Sequence, residues 1–327
     1  MSRASETSPM STDLAADWTA DLPADLTGRR ILVTGGAGFI GRHVARALTA
    51  AGAAVVVADA LPCAAPDGGA ALKGDLRDPE FRDAAVAEGL DGIVHLAAAT
   101  SVLASVRDPA GVHELNVTAT AGLLELARQR NVPRFLLAST NAVVGDVGTD
   151  MISEASPLRP LTPYGASKAA CEMLLSGYAG AYGMATCALR FTNVYGPGMA
   201  HKDSFVPRLM RAARDGHTVR IYGEGKQSRD LVHVEDVARG VLTAWTQQAR
   251  GPLVIGAGRS VTVLEMVEAA RKATGVDLPV EHVPAQTGEM PAVVVSIARA
   301  RALGYEPQVG LEDGLGGVWT DFQVHPR

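Results

Sequence analysis

Residues 31–41 read ILVTGGAGFIG, a β-branched apolar run followed by a glycine-rich turn and the start of a helical period. Gly36, Gly38 and Gly41 match the spacing GxGxxG, and Gly35, Gly38 and Gly41 match GxxGxxG. Such glycines let the backbone approach a pyrophosphate at a helix N-terminus, where unpaired N–H groups and the helix dipole favour an anion. The stretch therefore predicts a strand, a dinucleotide-binding turn and a helix.

The next predicted strand, AVVVADA at residues 54–60, places Asp59 near its end. Asp59 follows the glycines at about the distance that is expected of a ribose-binding acid, roughly 20 residues. Its carboxylate would accept hydrogen bonds from both ribose hydroxyls and repel a 2′-phosphate, so the sequence favours NAD over NADP. A Walker-type phosphate loop is excluded because no Lys-Ser or Lys-Thr pair follows the glycines.

From Arg30 onward, short apolar runs alternate with helical periods. This alternation predicts an α/β fold, a Rossmann-type doubly wound parallel sheet, with a smaller C-terminal substrate-binding lobe where the pattern breaks up. The predicted division is a flexible tail at 1–27, an NAD-binding domain at 28–199 to which 230–258 returns, and a substrate lobe at 200–229 and 259–327. The other predicted elements are strands at 92–99, 134–140 and 186–196, helices at 112–130 and 164–183, and a helix that begins near Asp236.

Composition restricts the partners and the compartment of this 327-residue chain. Its formal net charge is −5 and it has no block of Lys or Arg, which disfavours nucleic acid and anionic membranes as partners. No uncharged apolar run reaches the ~18 residues of a membrane span, and the first residues resemble neither a secretory signal nor a transit peptide. The three cysteines lack metal-ligand spacing. We expect a cytoplasmic protein without a metal.

The second chemical signal is the stretch YGASK, in which Tyr164 and Lys168 stand four residues apart. On a helix this spacing puts both side chains on one face. A phenol with a pKa near ~10 must lose about 3 units to act as a base near neutrality, which corresponds to ~4 kcal/mol. One ammonium at ~4 Å in an effective dielectric of ~20 supplies about that much, and an oxidised nicotinamide would add a second positive charge. The pair therefore suggests a Tyr base with a lowered pKa.

Five further stretches complete a pattern of motifs. They are GDLRD (74–78), HLAAATSVLASVRDP (95–109), AST with the following NAVVG (138–145), LRFTNVYGPG (189–198) and GEGKQSRDLVHVEDVA (223–238). With TGGAGFIG (34–41) and PYGASK (163–168), they make the chain similar to extended short-chain dehydrogenases/reductases of the nucleotide-sugar epimerase/dehydratase type. The resemblance extends from Arg30 to the C-terminus.

This resemblance implies a role for each matching residue. The implied catalytic residues are Thr140, Tyr164 and Lys168, the last of which also holds the nicotinamide ribose. The implied cofactor-binding residues are Gly35, Gly38, Phe39, Ile40, Gly41, Asp59, Asp75 (to the adenine amine), Leu76, Leu96, Ala97, Ala98 and Lys168. The implied substrate-binding residues are Thr100, Thr140, Asn141, Tyr164, and Asn193 and Arg229 at the nucleotide diphosphate.

Departures from the family pattern reduce the number of reactions that the resemblance supports. The 4,6-dehydratases carry Asp-Glu directly after the catalytic Thr, and the UDP-glucuronate decarboxylases carry a Glu there, whereas this chain has Asn141 and Ala142. Val144 replaces the commoner Tyr before the last glycine of that motif. The sequence thus favours an NAD-dependent 4-epimerase of a nucleotide-diphosphate hexose of the UDP-glucose or UDP-glucuronate type. A nucleotide-4-ketosugar reductase and a non-catalytic NAD-binding protein are the alternatives, and UDP is not distinguished from dTDP.

Several other residues receive structural expectations. His95 and His233 fall in predicted strands and are expected in the core, and Glu172 is expected on the surface or at an interface. His201 and Lys202 are expected on a solvated loop, with contact to an acidic sugar as the alternative. Helices 112–130 and 164–183 are expected to form a homodimer interface, as in similar enzymes, because their apolar positions exceed one core-facing stripe. Those positions are Leu115, Leu123, Leu124, Met173, Leu174, Leu175 and Tyr178.

Overall fold

The computed structural model describes residues 18–19, 25–284 and 292–324. Its strands are β1 (Arg30–Thr34), β2 (Ala54–Asp59), β3 (Ala70–Lys73), β4 (Gly92–His95), β5 (Arg134–Thr140), β6 (Met151–Ile152), β7 (Ala185–Phe191), β8 (Asn193–Tyr195), β9 (Val219–Tyr222), β10 (Ser228–His233), β11 (Gly251–Ile255), β12 (Ser260–Thr262), β13 (Val280–Val283) and β14 (Val294–Val295). Its α-helices are α1 (Phe39–Ala50), α2 (Pro79–Ala85), α3 (Val102–Arg107), α4 (Pro109–His113), α5 (Ala119–Gln129), α6 (Pro163–Tyr182), α7 (Phe205–Asp215), α8 (Val234–Thr246), α9 (Val263–Thr274), α10 (Ala298–Ala302) and α11 (Leu311–Val324).

A parallel sheet of seven strands, in the order β11-β7-β5-β4-β1-β2-β3, forms the centre of the fold. The chain runs outward from β1 to β3 on one side and from β4 to β11 on the other. The strand order therefore reverses between β1 and β4, and α/β sheets bind ligands at the carboxyl ends of their strands at such a point. This topology confirms the predicted Rossmann-type doubly wound sheet.

Helices cover both faces of this sheet. Ile31 of β1 packs in a cluster with Val44 of α1, whereas its neighbour Leu32 packs in a cluster with Leu123 of α5. Successive side chains of a strand point to opposite faces, so two helical layers are needed to bury them both. This is why the strands are continuously apolar rather than alternating with polar residues.

Local residues determine both ends of α6, the helix that carries Tyr164 and Lys168. The Thr162 hydroxyl accepts a hydrogen bond from the Gly165 backbone N–H at 3.1 Å, and Pro163 stands in the first turn, where a helix tolerates the missing N–H. At the other end, Gly183 adopts a φ of 69°, which favours glycine, and terminates the helix.

The C-terminal part of the chain contributes a separate apolar cluster. Leu209 of α7, Met266 of α9 and Leu315 of α11 are buried in it. The small sheets β12-β10-β8 and β13-β9 complete this region. It forms the smaller lobe that the interrupted sequence pattern predicted.

Several predicted boundaries differ from the structure. The strand expected at 92–99 ends at His95, and the helix expected at 112–130 is divided into α4, a π-helical turn at Glu114–Thr118 and α5. The strand expected at 186–196 is two strands, because β7 pairs within the central sheet while β8 pairs with β10. Helix α8 begins two residues before the expected Asp236.

The expected tail at 1–27 is only partly described, and its described residues contact the core. Leu26 is buried, and its backbone N–H donates to the Ala51 carbonyl at 2.6 Å. The Arg239 guanidinium lies 5.1 Å from the ring centroid of Trp18. The packed structure thus includes residues that were assigned to the tail. Within the described part of the chain, no helix has both the length and the apolar character to cross a membrane.

Candidate active site

A cavity of about 1580 Å³ lies along the carboxyl ends of the central strands. Its walls contain every residue that the sequence predicted for the site except Asn141. These residues are Gly35, Gly38, Phe39, Ile40, Gly41, Asp59, Asp75, Leu76, Leu96, Ala97, Ala98, Thr100, Thr140, Tyr164, Lys168, Asn193 and Arg229. Residues separated by nearly two hundred positions in the sequence therefore surround one cavity.

The glycine turn between β1 and α1 forms one wall. Gly35 has a φ of +72°, and a Cβ atom there would lie 2.6 Å from the backbone nitrogen of Ala97. A Cβ at Gly41 would overlap the Gly35 carbonyl oxygen. Helix α1 begins after Gly38 without a side-chain cap, so the first-turn N–H groups at Phe39 and Ile40 are available to an anion. These features fit the diphosphate of a dinucleotide.

Asp59 lies at the end of β2, beside this turn. One oxygen of its carboxylate accepts the Ala37 backbone N–H at 3.0 Å, and the other accepts the Leu61 N–H at 2.9 Å. The carboxylate is thus held at the rim of the cavity by backbone donors. This position fits the predicted recognition of a ribose.

Asp75, predicted to bind an adenine amine, has an arginine partner that the sequence reading missed. The Arg77 Nη2 lies 2.6 Å from one carboxylate oxygen, and its Nε lies within 3.1 Å of both. These hydrogen bonds hold the pKa of Asp75 below its usual range. Both side chains line the cavity, so an adenine at this place would meet an ion pair rather than a single acid.

The three predicted catalytic residues come from β5 and α6. Thr140 is the last residue of β5, and its hydroxyl oxygen accepts the Ala142 N–H at 3.1 Å while donating to Asn141 at 3.5 Å. Tyr164 and Lys168 follow one another on successive turns of α6. Thr140, Tyr164 and Lys168 all line the cavity, whereas Asn141 starts a short 3-10 turn and does not.

The pKa of Tyr164 does not follow the sequence expectation. Burial raises it to about 12, although the Thr140 hydroxyl acts in the opposite direction. Burial also lowers the pKa of Lys168 to about 8. The expected lowering of the phenol pKa by a nearby ammonium is wrong for the protein alone, because desolvation penalises the charged form of both groups.

Asn116, in the π-helical turn, does not line the cavity but supports it, and the sequence did not predict this role. Its side chain accepts the Ala99 N–H at 2.8 Å and donates to the Ala99 carbonyl at 3.1 Å and to the Ser167 hydroxyl at 2.9 Å. It thus joins the loop after β4, which lines the cavity, to the first turns of α6. The signal in the sequence was that Asn116, a polar residue, occupies a core-facing position of the helical pattern, where an apolar residue is expected.

The buried polar residues near the site were predicted with mixed success. His95 is buried as expected, with its ring nitrogens 2.6 Å from the Thr34 hydroxyl and 2.9 Å from the Thr120 hydroxyl. The surface position expected of Glu172 is wrong, because this residue is only 5% exposed and pairs with Arg190.

The far end of the cavity contains the predicted diphosphate contacts. The Asn193 amide donates to the Asp230 carbonyl at 3.0 Å, and Arg229 donates to the Ser228 carbonyl at 2.8 Å. Parallel pairing of β8 with β10 brings these two strands side by side. Lys202 also lines the cavity and is half-buried, and burial lowers its pKa. Lys202 is thus less exposed than a fully solvated loop residue, whereas His201 is exposed as expected.

Known proteins are similar to this chain in sequence and in fold. The model of the NAD dependent epimerase/dehydratase family matches residues 31–256. A dTDP-glucose 4,6-dehydratase of Streptomyces griseus is 34% identical over 312 residues, which cover 90% of this chain and 94% of that protein.

Two solved structures are also similar to this chain. The UDP-glucose 4-epimerase of Thermotoga maritima with UDP-glucose has a TM-score of 0.84 at 32% identity, covering 90% of this chain and 99% of that one. The UDP-glucose 4-epimerase of Thermus thermophilus in complex with NAD has a TM-score of 0.81 at 34% identity, with the same coverage of 90% and 99%. The family match spans the central sheet and α6, and this chain belongs to the NAD dependent epimerase/dehydratase family.

Proposed function

We propose that this protein is an NAD-dependent 4-epimerase of a nucleotide-diphosphate hexose of the UDP-glucose or UDP-glucuronate type. The observation that carries the proposal is that Thr140, Tyr164 and Lys168 line one cavity, while none of the carboxylates among the described residues that line it comes from the segment after Thr140. Such a set can remove and return a proton at one hydroxyl. Eliminating water needs a further acid and base, and relatives of both activities are similarly close, so the residues around Thr140 decide the assignment.

The acids of the cavity support epimerisation over elimination. Among the described residues, the carboxylates that line it are Asp59, Asp75, Asp203 and Asp215. The first two lie on the cofactor side, next to the glycine turn and to Arg77. Asp203 pairs with Arg208 at 2.7 Å, and Asp215 pairs with Arg214 at 2.7 Å. None of these acids extends from the segment after Thr140, where the dehydratases carry theirs.

The cofactor would bind across the carboxyl ends of β1, β2 and β4. The first-turn N–H groups of α1 would hold the diphosphate, Asp59 the adenosine ribose, and Lys168 the nicotinamide ribose. Bound NAD would supply the acceptor for a hydride from the sugar and would later return that hydride. The residues of this chain supply the site and the proton chemistry.

The proton steps follow from the three catalytic side chains. The Tyr164 phenolate removes the proton of the sugar 4-hydroxyl, and the Thr140 hydroxyl hydrogen-bonds the same oxygen. The pKa of Tyr164 is about 12 in the protein alone, in which Lys168 is already present, so a functional base needs in addition the positive charge that an oxidised cofactor would carry. The 4-keto sugar turns in the cavity, and Tyr164 returns a proton to its oxygen.

The nucleotide diphosphate would bind at the far end of the cavity. Arg229 offers a planar fork of donors, which suits a phosphate, and Asn193 lies on the neighbouring strand. Lys202 adds a half-buried cation in the same cavity. In this arrangement residues 28–199 and 230–258 form the domain that contains the cofactor site, and the substrate lobe at 200–229 and 259–327 contributes Arg229 and Lys202 to the nucleotide-sugar end of the cavity.

We infer in addition that two copies pair through the region of α5 and α6. Leu123, Leu124 and Leu175 lie in the core of one chain, so they do not belong to such an interface. Met173 is 57% exposed on α6, however, and Tyr182 of the same helix is also 57% exposed. These apolar surfaces are what a second copy would cover.

A panel of UDP- and dTDP-hexoses and hexuronates tests the reaction. We expect proton NMR to show the H4 coupling change from axial to equatorial with no change at C6. A methyl doublet at C6 would instead identify a dehydratase. Turnover that consumes stoichiometric NADH would identify a ketoreductase, whereas an epimerase needs no net reductant.

A further inference from the structure

Beneath the catalytic residues lies a buried ion pair that connects three elements of the fold. The Arg190 Nη2 of β7 donates to one Glu172 carboxylate oxygen at 2.8 Å, and its Nε donates to the other at 3.0 Å. The Ser139 hydroxyl of β5 donates to the same Glu172 carboxylate at 2.5 Å. The side chains of Arg190 and Glu172 are 3% and 4% exposed, so solvent does not screen this pair.

The three partners are each adjacent to the proposed chemistry. Glu172 stands four residues after Lys168, which itself stands four after Tyr164, so the three share one face of α6. Ser139 directly precedes Thr140, and the register of β5 and β7 pairs Ser139 with Arg190. One carboxylate therefore connects the helix that carries the base to the strand that carries its hydroxyl partner.

Arg190 also connects this pair to the segment around β6. Its Nη1 donates to the carbonyls of Ser153 and Glu154 at 3.3 and 3.4 Å. The Glu154 carboxylate in turn accepts the Val254 N–H of β11 at 2.9 Å. The guanidinium thus has a fixed orientation, because three of its nitrogens have acceptors on different elements.

Stability alone does not account for such a pair. Burying two charges costs desolvation that their attraction only partly offsets, and apolar residues of similar size often serve the fold equally well. A bidentate guanidinium–carboxylate contact is directional, whereas an apolar contact tolerates sliding of the helix. Proton transfer is sensitive to such sliding, since a displacement of about 1 Å costs ~100-fold in rate.

We propose that the Glu172–Arg190 pair, with Ser139, positions α6 so that Tyr164 and Lys168 are held in register with Thr140. This inference rests on the proposed function for its kinetic consequence. Glu172 and Arg190 are positioning residues that contact neither substrate nor cofactor, since neither lines the cavity.

The test replaces the pair by apolar residues of similar length, in the double variant E172M/R190M of the full chain. We expect the melting temperature to stay within a few degrees of wild type and kcat to fall ~100-fold, with KM for the nucleotide sugar within threefold. A kcat within twofold of wild type in the folded variant would overturn the proposal. The double variant E172Q/R190M, which leaves neither charge buried alone, is measured in the same way in case E172M/R190M does not fold.

A second buried pair provides the matched control. Arg239 Nη1 lies 2.7 Å from Asp236 on α8, and these side chains are 15% and 1% exposed. The variant D236N/R239M removes a pair of the same kind away from α6. We expect its melting temperature to change at least as much as that of E172M/R190M, while its kcat stays within twofold of wild type. A kcat that falls in proportion to lost stability in both variants would show a merely structural role.

Crystal structures of wild type and E172M/R190M test the position of Tyr164 directly and need no substrate. We expect the Tyr164 hydroxyl to move by about 1 Å or more relative to the Thr140 hydroxyl, and an unmoved Tyr164 would overturn the proposal. If wild type converts none of the nucleotide sugars, the proposed function fails. The comparison of the two crystal structures still tests whether the Glu172–Arg190 pair positions Tyr164.

Discussion

The Asp59 carboxylate accepts the backbone N–H of Ala37 at 3.0 Å, so the acid at the end of β2 is bound to the glycine turn after β1. A single side chain thereby links the two segments between which the cofactor would lie. The negative charge is held at the rim of the cavity rather than free to rotate away. A phosphate on the adjacent ribose would meet that fixed charge.

We therefore predict that Asp59→Asn weakens the discrimination against NADP. The amide keeps an acceptor for Ala37 but loses the charge, so the affinity ratio of NAD to NADP should fall by roughly 10-fold, as expected for about 1.4 kcal/mol. Equilibrium titration with both reduced cofactors measures the ratio, and Asp67→Asn at an exposed neighbouring site is the control. Equal affinities in wild type would contradict the role of Asp59.

Tyr164→Phe should abolish turnover while NAD binding and the melting temperature stay unchanged. Only the proton acceptor is lost, and a positioned acid–base group contributes about 10²- to 10⁴-fold. Thr140→Ala should slow the reaction less, since Tyr164 still reaches the oxygen. Tyr182→Phe, at a residue 57% exposed on the same helix, serves as the control. Wild-type turnover in Tyr164→Phe would exclude this mechanism.

Arg229→Ala should raise KM for the nucleotide sugar with a smaller effect on kcat. Loss of a buried charge-assisted contact to a diphosphate costs roughly 2 to 5 kcal/mol, or about 30-fold to several thousand-fold in affinity. Arg229→Lys should restore part of this, because a point charge replaces a planar fork. Initial-rate kinetics measure both, with exposed Arg259→Ala as the control. A KM that stays within twofold in Arg229→Ala would argue against a diphosphate at this end.

Acid should destabilise the fold through its buried histidines. Burial lowers the pKa of His95 and His233 from 6.5 to about 3, and that of His43 to about 4. Below pH 6.5 the unfolded chain binds protons that the folded chain does not, so stability falls as the pH falls. Each group should cost about 2 kcal/mol between pH 6.5 and pH 5.

Urea unfolding at several pH values measures this effect. The variant His95→Asn should show a shallower loss of unfolding free energy than wild type between pH 6.5 and pH 5. His113→Asn, at an exposed position, should show the wild-type slope. If His95→Asn and wild type had the same slope, His95 would not be a source of the acid sensitivity.

Met173→Glu should disrupt pairing of two copies. Its side chain is 57% exposed on α6, and two buried carboxylates facing each other would repel and lose their hydration. Light scattering should give wild type about twice the chain mass of 33.9 kDa, and this variant the mass of one chain. Met151→Glu, at a residue 62% exposed on β6, should leave the mass of wild type. A wild-type mass of one chain would reject the dimer.

The sequence by itself determined those features that neighbouring residues specify. The glycine turn is local, since Gly35 needs its positive φ and Gly41 its lack of a Cβ whatever the rest of the chain does. Helix α6 is local as well, because Thr162 and Pro163 begin it and Gly183 ends it. Strand β5 has the predicted bounds because the strand pattern of its residues does not continue into the flanking sequence on either side.

The tertiary structure alone decided what the buried polar groups contact. Nothing near Glu172 in the sequence indicates that Arg190 and Ser139 contact its carboxylate. The register of β5 and β7 places these two partners side by side. The pKa of Tyr164 likewise depends on how completely other elements cover it, and burial outweighs the local spacing to Lys168. Helical and strand periods are local in the chain, whereas desolvation and ion pairing depend on contacts between segments far apart in sequence, and only the folded chain creates those contacts.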